Sequence, residues 1–147
     1  MNALVKETAQ SGPWEIMGSL FKQELQSEAD VLGLIEKGIS TKNYQFVVKC
    51  LDVPKGAIGA ETTIRNRLRG ANSRLNAEES ERLVGIARVF ASARSLFGTD
   101  EKALLWMHRP AKYLPDKPPV TPMTLATRDA GVRLLEEKLI RTAHGMY

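Results

Sequence analysis

Apolar residues recur at spacings of three and four through most of the chain, in short runs cut by glycine, proline and capping residues. No segment keeps the two-residue alternation of a half-buried strand, so the periodicity restricts the chain to helices. Pro13 opens the first, with Trp14, Met17, Leu20, Phe21 and Leu25 on a stripe that faces the core or a dimer mate. Ser27 and Asp30 approximate a capping box for a second helix, with Val31, Leu32, Leu34 and Ile35 as its apolar face and Gly38 as its stop. Ser40 caps a third, in which Tyr44, Val47, Val48 and Leu51 point inward. Asp52-Val53-Pro54 halts it, because proline disfavours helical geometry in the residue before it.

Asn76, with Glu79 three residues on, begins a longer helix through Leu83, Ile86, Ala87, Phe90 and Phe97, broken at Gly98. Thr99 caps the next, which carries Ala103, Leu104, Trp106 and Met107 and ends at Pro110. Five prolines between Pro110 and Pro122 make an extended, stiff connector with only Tyr113, Leu114 and Val120 to bury. Thr127 starts a last helix through Val132, Leu135, Leu139 and Ala143, ending at Gly145, and Met1 to Ser11 reads as a polar, mobile arm. The expected fold is all-α.

Several kinds of chemistry lack their residues. Cys50 is the single cysteine, which excludes an intrachain disulfide and a cysteine-based metal cluster. His108 and His144 are far apart, with no further ligand beside either, so no zinc site is expected. Gly56 and Gly59 are followed by Ala60-Glu61 rather than the Lys-Ser/Thr of a phosphate loop, and neither a Gly-x-Ser-x-Gly nor a His-Glu-x-x-His occurs. Glu78, Glu79 and Glu81, like Glu136 and Glu137, read as solvated carboxylates. His108 reads as a cation at a helix C-terminus and Cys50 as a buried thiol. No catalytic residue, cofactor or metal is therefore expected. No apolar run approaches the ~20 residues of a membrane helix, and Met1 to Gln10 lacks a signal-peptide pattern, so the expected setting is a reducing cytoplasm.

Charge is informative by position. The net charge is +4, and the stretch Pro54 to Leu75, with Lys55, Arg65, Arg67, Arg69 and Arg74 against Glu61, carries all of it. Such a local surplus fits either a polyanion contact or a solvated, arginine-rich helix face. Within it, Glu61 to Leu68 reads as a short helix with Ile64 and Leu68 inward, and Thr62, Thr63, Arg65, Asn66, Arg67 and Arg69 around its other faces. A helix, a glycine-containing link and a second short helix bearing Thr, Asn and Arg is the helix-turn-helix arrangement. Arginine suits phosphates and guanine edges, and asparagine suits adenine. The candidate DNA contacts are Lys55, Thr62, Thr63, Arg65, Asn66, Arg67 and Arg69.

The second half carries a resemblance. Leu75-Asn-Ala-Glu-Glu-Ser-Glu-Arg-Leu83, Ile86-Ala-Arg-Val-Phe90 and Leu96-Phe-Gly-Thr-Asp-Glu-Lys-Ala103 occur in that order, followed by Trp106-Met-His-Arg-Pro110, Thr121-Pro-Met-Thr-Leu125 and Ala143-His-Gly-Met-Tyr147. This series resembles the Xre/MbcA/ParS antitoxin family over about half the chain. Ala111 to Pro119 departs from that family's usual Asn-x-x-Leu-x-Gly, and Leu125-Ala126 from its Leu-Leu. The resemblance implies an N-terminal arm and helix-turn-helix over 1–75 and a small helical toxin-binding domain over 76–147. It also implies a dimeric antitoxin that inhibits a RES-domain, NAD-consuming toxin encoded by the adjacent gene, within a larger hetero-oligomer, and represses its own operon at operator DNA. Trp106, Arg109, Arg141, His144, Gly145 and Tyr147 would meet the toxin. The other readings are a stand-alone dimeric repressor and an NAD- or phosphate-handling enzyme, which the missing motifs disfavour.

Overall fold

The computed structural model describes residues 11–70 and 72–145. Among the described residues the helices are α1 (Pro13–Phe21), α2 (Glu28–Lys37), α3 (Thr41–Leu51), α4 (Glu61–Leu68), α5 (Ala77–Phe97), α6 (Asp100–Met107), α7 (Pro122–Leu125) and α8 (Asp129–Ala143), with no strand. None is long and apolar enough to cross a membrane. Of the polar arm expected over Met1 to Ser11, residues 1–10 lie outside the described residues, as do Met146 and Tyr147, and Ser11 is buried rather than part of a free arm.

Helix α5 organises the rest. Its buried residues, including Leu83, Val84, Ile86, Ala87, Val89, Phe90, Ala91 and Ala93, occupy more than one face, so it needs cover on several sides. Helices α1 and α2 supply that cover from the first half, and α6 and α8 from the second. Helix α2 runs antiparallel to α5: Glu28 at its start pairs with Arg88, while the Ile39 N–H beyond its end donates to Ser80 Oγ at 3.0 Å. Helix α8 runs parallel to α5, with Val132 against Gly85 and Glu136 near Ser92. One apolar core contains Ile16, Leu20, Val47 and Leu51 together with Leu83, Phe90, Met107 and Leu135. Packing therefore crosses the 75/76 junction. The junction itself is stitched by Leu75 N–H to the Ile39 carbonyl (2.8 Å) and Thr41 N–H to the Ser73 carbonyl (3.1 Å).

The caps follow the sequence closely. Asn76 Oδ1 accepts from Glu79 N–H (2.8 Å) and Glu79 Oε1 accepts from Asn76 N–H (2.9 Å), a complete capping box. Ser40, Thr99 and Thr121 cap α3, α6 and α7, each side chain accepting one backbone N–H. Ser27 caps α2, but Asp30 accepts instead from Gln26 N–H at 2.8 Å, so the box is not closed.

Several expectations are corrected. Helix α1 stops at Phe21 with Lys22 left-handed (φ 58°), and Leu25 reaches the core from the loop beyond. Leu32, expected inward, is 55% exposed. The proline-rich segment is not extended: Ala111 and Val120 exchange two backbone hydrogen bonds of 2.9 Å, folding it into a hairpin-like loop. Thr127 does not start the last helix. Its hydroxyl donates to the Thr124 carbonyl (2.8 Å), closing the short α7, and α8 begins at Asp129.

Two glycines make the α7 corner possible. A Cβ at Gly85 would lie 2.5 Å from the Ala126 carbonyl oxygen, and one at Gly131 would collide with that of Leu125. The α7 backbone is thus clamped between α5 and α8. Gly131→Ala is expected to destabilise the fold by about 1–3 kcal/mol, as overpacking does, lowering the urea midpoint; an unchanged midpoint would contradict the clamp.

Candidate nucleic-acid interface

The link between α3 and α4 is built from specific contacts. Asp52 ends α3 in a left-handed conformation (φ 53°), and Ala57 N–H turns back to the Pro54 carbonyl at 3.2 Å. Ile58 is buried, and its carbonyl accepts from Arg82 Nη1 of α5 at 2.8 Å. The sequence offers no pattern for this anchor, because a lone isoleucine between two glycines has no period. Helix α4 then presents Ile64 to the core and Leu68 half-inward.

On its outer faces, Thr62, Thr63, Arg65, Asn66 and Arg69 are exposed. Lys55 is exposed too, 4.0 Å from Glu61 in a solvated ion pair. Arg67 differs: its Nε lies 2.6 Å from Glu79 Oε1 on α5, with Glu79 only 5% exposed. Glu79 is therefore not the solvated carboxylate expected from its neighbours Glu78 and Glu81. Arg74, the last residue of the basic surplus, donates from Nη1 to the Gly38 carbonyl at 2.9 Å. Two of the stretch's four arginines thus hold the protein together, and Arg65 and Arg69 form no ion pair among the described residues.

Between α3 and α4 lies an open groove of about 360 Å³, floored by Tyr44, Val48, Ile58, Ile64 and Leu68. Burial, and then the Glu79 charge, push the Tyr44 hydroxyl's pKa above its ordinary value. A larger cleft of about 740 Å³ opens between α2, α5 and the start of α8. Its walls carry Glu78, Glu81 and Asp129 against Arg82, Arg88 and Arg128, so it presents no surplus of either sign. Arg88 donates to both carboxylate oxygens of Glu28 (2.7 and 2.8 Å), which holds Glu28 below the usual carboxylate range.

The residues implied in toxin binding fall on two elements. Trp106 of α6 is half-buried, tilted against Phe97 with ring centroids 6.0 Å apart, and Arg109 is exposed just beyond. Arg141, His144 and Gly145 are exposed at the end of α8, with Arg141 2.9 Å from Glu137 and Gly145 left-handed (φ 73°). No hydrogen bond or ion pair among the described residues joins the two groups. Tyr147 lies outside the described residues. His108, expected to act as a helix-end cation, donates from Nε2 to the Leu51 carbonyl at 2.9 Å and ties the end of α6 to the end of α3. That bond crosses 57 residues, so no local pattern announces it.

The class these features define is an all-helical protein with a short, arginine-bearing helix displayed beside a long central one. No family model matches the chain. It is similar to Antitoxin Xre of Pseudomonas putida strain KT2440, with 31% identity over 83 residues, which is 56% of this chain and 50% of that protein. The chain thus spans about half the length of the curated relative it matches.

Burial raises the pKa of Cys50, and the Lys22 charge only partly offsets it. A raised pKa leaves less thiolate at neutral pH. A disulfide reagent should therefore modify native Cys50 more slowly than a free cysteine at pH 7, and faster as pH rises or urea is added. Modification at the free-cysteine rate in the native protein would contradict this.

Proposed function

We propose that the chain is an antitoxin that binds and inhibits a RES-type, NAD-consuming toxin in the cytoplasm and, as a dimer, represses its own operon at operator DNA. The observation that carries the antitoxin reading is the similarity to Antitoxin Xre. The family motifs from Leu75 to Tyr147 support the toxin class. The DNA reading rests on α4, where Arg65, Asn66 and Arg69 with Thr62 and Thr63 form an exposed face that suits phosphates and base edges. Residues 1–75 would supply the DNA-contacting part and 76–147 the toxin-contacting part, laid over one core.

The decisive experiment is co-expression with the product of the neighbouring gene. Capture of a RES-domain protein and preservation of cellular NAD support the proposal. A chain that binds its upstream DNA and captures no such protein would instead be a stand-alone repressor.

Two variants separate the activities. With Arg65 and Arg69 on phosphates in both protomers of a dimer, four charges are engaged, and log affinity should fall with log salt at a slope of roughly −4. Arg65→Ala with Arg69→Ala should abolish that binding while leaving toxin neutralisation intact; undiminished DNA binding would move the interface elsewhere. A chain ending at Ala143 keeps Val132, Leu135 and Leu139 in the core and is expected to fold and bind DNA. It should fail to protect NAD, because it loses His144 and Tyr147, Tyr side chains are common interface anchors, and the resemblance implies a toxin contact at this end. Full protection by the shortened chain would shift the contact toward Trp106 and Arg109.

A further inference from the structure

Helix α4 has little to fix its orientation. It is eight residues long, its N-cap Ala60 makes no side-chain cap, and Ile64 is its one buried residue. A helix this short has marginal stability of its own, so its pose depends on what it packs against. Around the helix, side chains turn by about 100° per residue. A small rotation would therefore carry Arg65, Asn66 and Arg69 away from any groove they are meant to read.

Glu79 is placed to prevent that rotation. Its side chain is 5% exposed, contacts the start of α5 and α4, and faces the link. Oε1 accepts from Asn76 N–H (2.9 Å) at the start of α5 and lies 2.6 Å from Arg67 Nε on α4. Oε2 lies where a side chain at Gly59 of the link would meet it, at 3.6 Å. Among the described residues this is the ion pair that joins α4 to α5. Arg67 Nε is buried and makes no aligned hydrogen bond, so the contact is one of charge.

We propose that Arg67 and Glu79 are a positioning pair that sets the orientation of α4, so that Glu79 governs DNA affinity without touching DNA. The proposal rests on the DNA reading given above. Arg67 does not serve as a phosphate contact, because leaving Glu79 would strand a buried carboxylate without its counter-charge, which is costly. Arg65 and Arg69 carry no such tie and remain for the phosphates.

The test uses the whole chain and a duplex of the DNA upstream of its own gene. Glu79→Gln keeps an acceptor for Asn76 N–H but loses the charge. It should weaken binding about tenfold, the equivalent of a mismatched base pair, with the salt slope unchanged. Arg67→Ala should act alike, and Glu79→Gln combined with Arg67→Ala should weaken binding no further than either alone. If Arg67 instead contacts phosphate, Arg67→Ala removes two charges from a dimer, and the slope becomes shallower by about 2. That result, or full affinity in Glu79→Gln, would overturn the proposal. Amide exchange keeps the test independent of folding and of the DNA reading. In Glu79→Gln the α4 amides should exchange faster while those of α5 keep their protection; unchanged α4 exchange would also overturn it. If the unaltered chain binds no duplex with salt dependence, the DNA reading fails, and the exchange result still decides whether the pair holds α4. Should Glu79→Gln fail to fold, Arg67→Lys, which keeps the charge, should retain both slope and α4 protection, and loss of that protection would count against the pair.

Discussion

A helix buried on several faces cannot be stable until several neighbours are in place, and α5 is such a helix. Its cover comes from α1 and α2 before residue 75 and from α6 and α8 after it. Small residues make close cover possible: Ala87, Ala91 and Ala93 are fully buried, and Gly85 lets the α7 backbone approach. The buried pair Arg94–Asp100, at 2.7 Å, fixes the turn from α5 into α6, and Arg94 also donates to the Gly98 carbonyl. Removing one partner of such a pair would leave a buried, uncompensated charge, which is strongly destabilising. The division of labour proposed for the two halves is therefore a division of surface over a shared interior.

The basic surplus divides in the same way. By count it is one stretch, but the fold sorts it by environment. Arg74 closes the α2–α3 corner on the Gly38 carbonyl, and Arg67 meets a buried carboxylate. Lys55, Arg65 and Arg69 remain in solvent. Net charge alone would credit all five with long-range attraction for a polyanion. Under the proposed DNA reading, direct contacts to phosphate would fall to Arg65 and Arg69, and the salt dependence of binding would follow that smaller number.

Local rules were legible in the sequence, and contacts between distant segments were not. The capping residues Ser27, Ser40, Asn76 and Thr99 and the stop at Gly98 follow from backbone groups within four residues, and each is where the sequence places it. Helix α4 and its inward Ile64 were legible from the four-residue spacing of Ile64 and Leu68. The proline-rich loop was misread because prolines limit backbone angles without dictating whether two ends meet. Ala111 and Val120, which do meet, carry no signal of it. Glu79 was misread because a carboxylate beside Glu78 and Glu81 looks solvated until its partner twelve residues earlier is known. His108 stands at the end of α6 where the sequence places it, but its acceptor, the Leu51 carbonyl, lies in another helix and had no local signal.

The shared interior can be tested with the two tryptophans. Trp14 in α1 and Trp106 in α6 stand on opposite sides of residue 75, and both pack against the core. Replacing each in turn by phenylalanine leaves one reporter in each half. Urea unfolding followed by fluorescence of the two single-tryptophan chains, each referenced to its own helical circular dichroism, reports whether the halves melt together. One core around α5 requires fluorescence and circular dichroism to coincide in both chains, as for a two-state unit. A first transition seen by one tryptophan while the other half keeps its helical signal would contradict it.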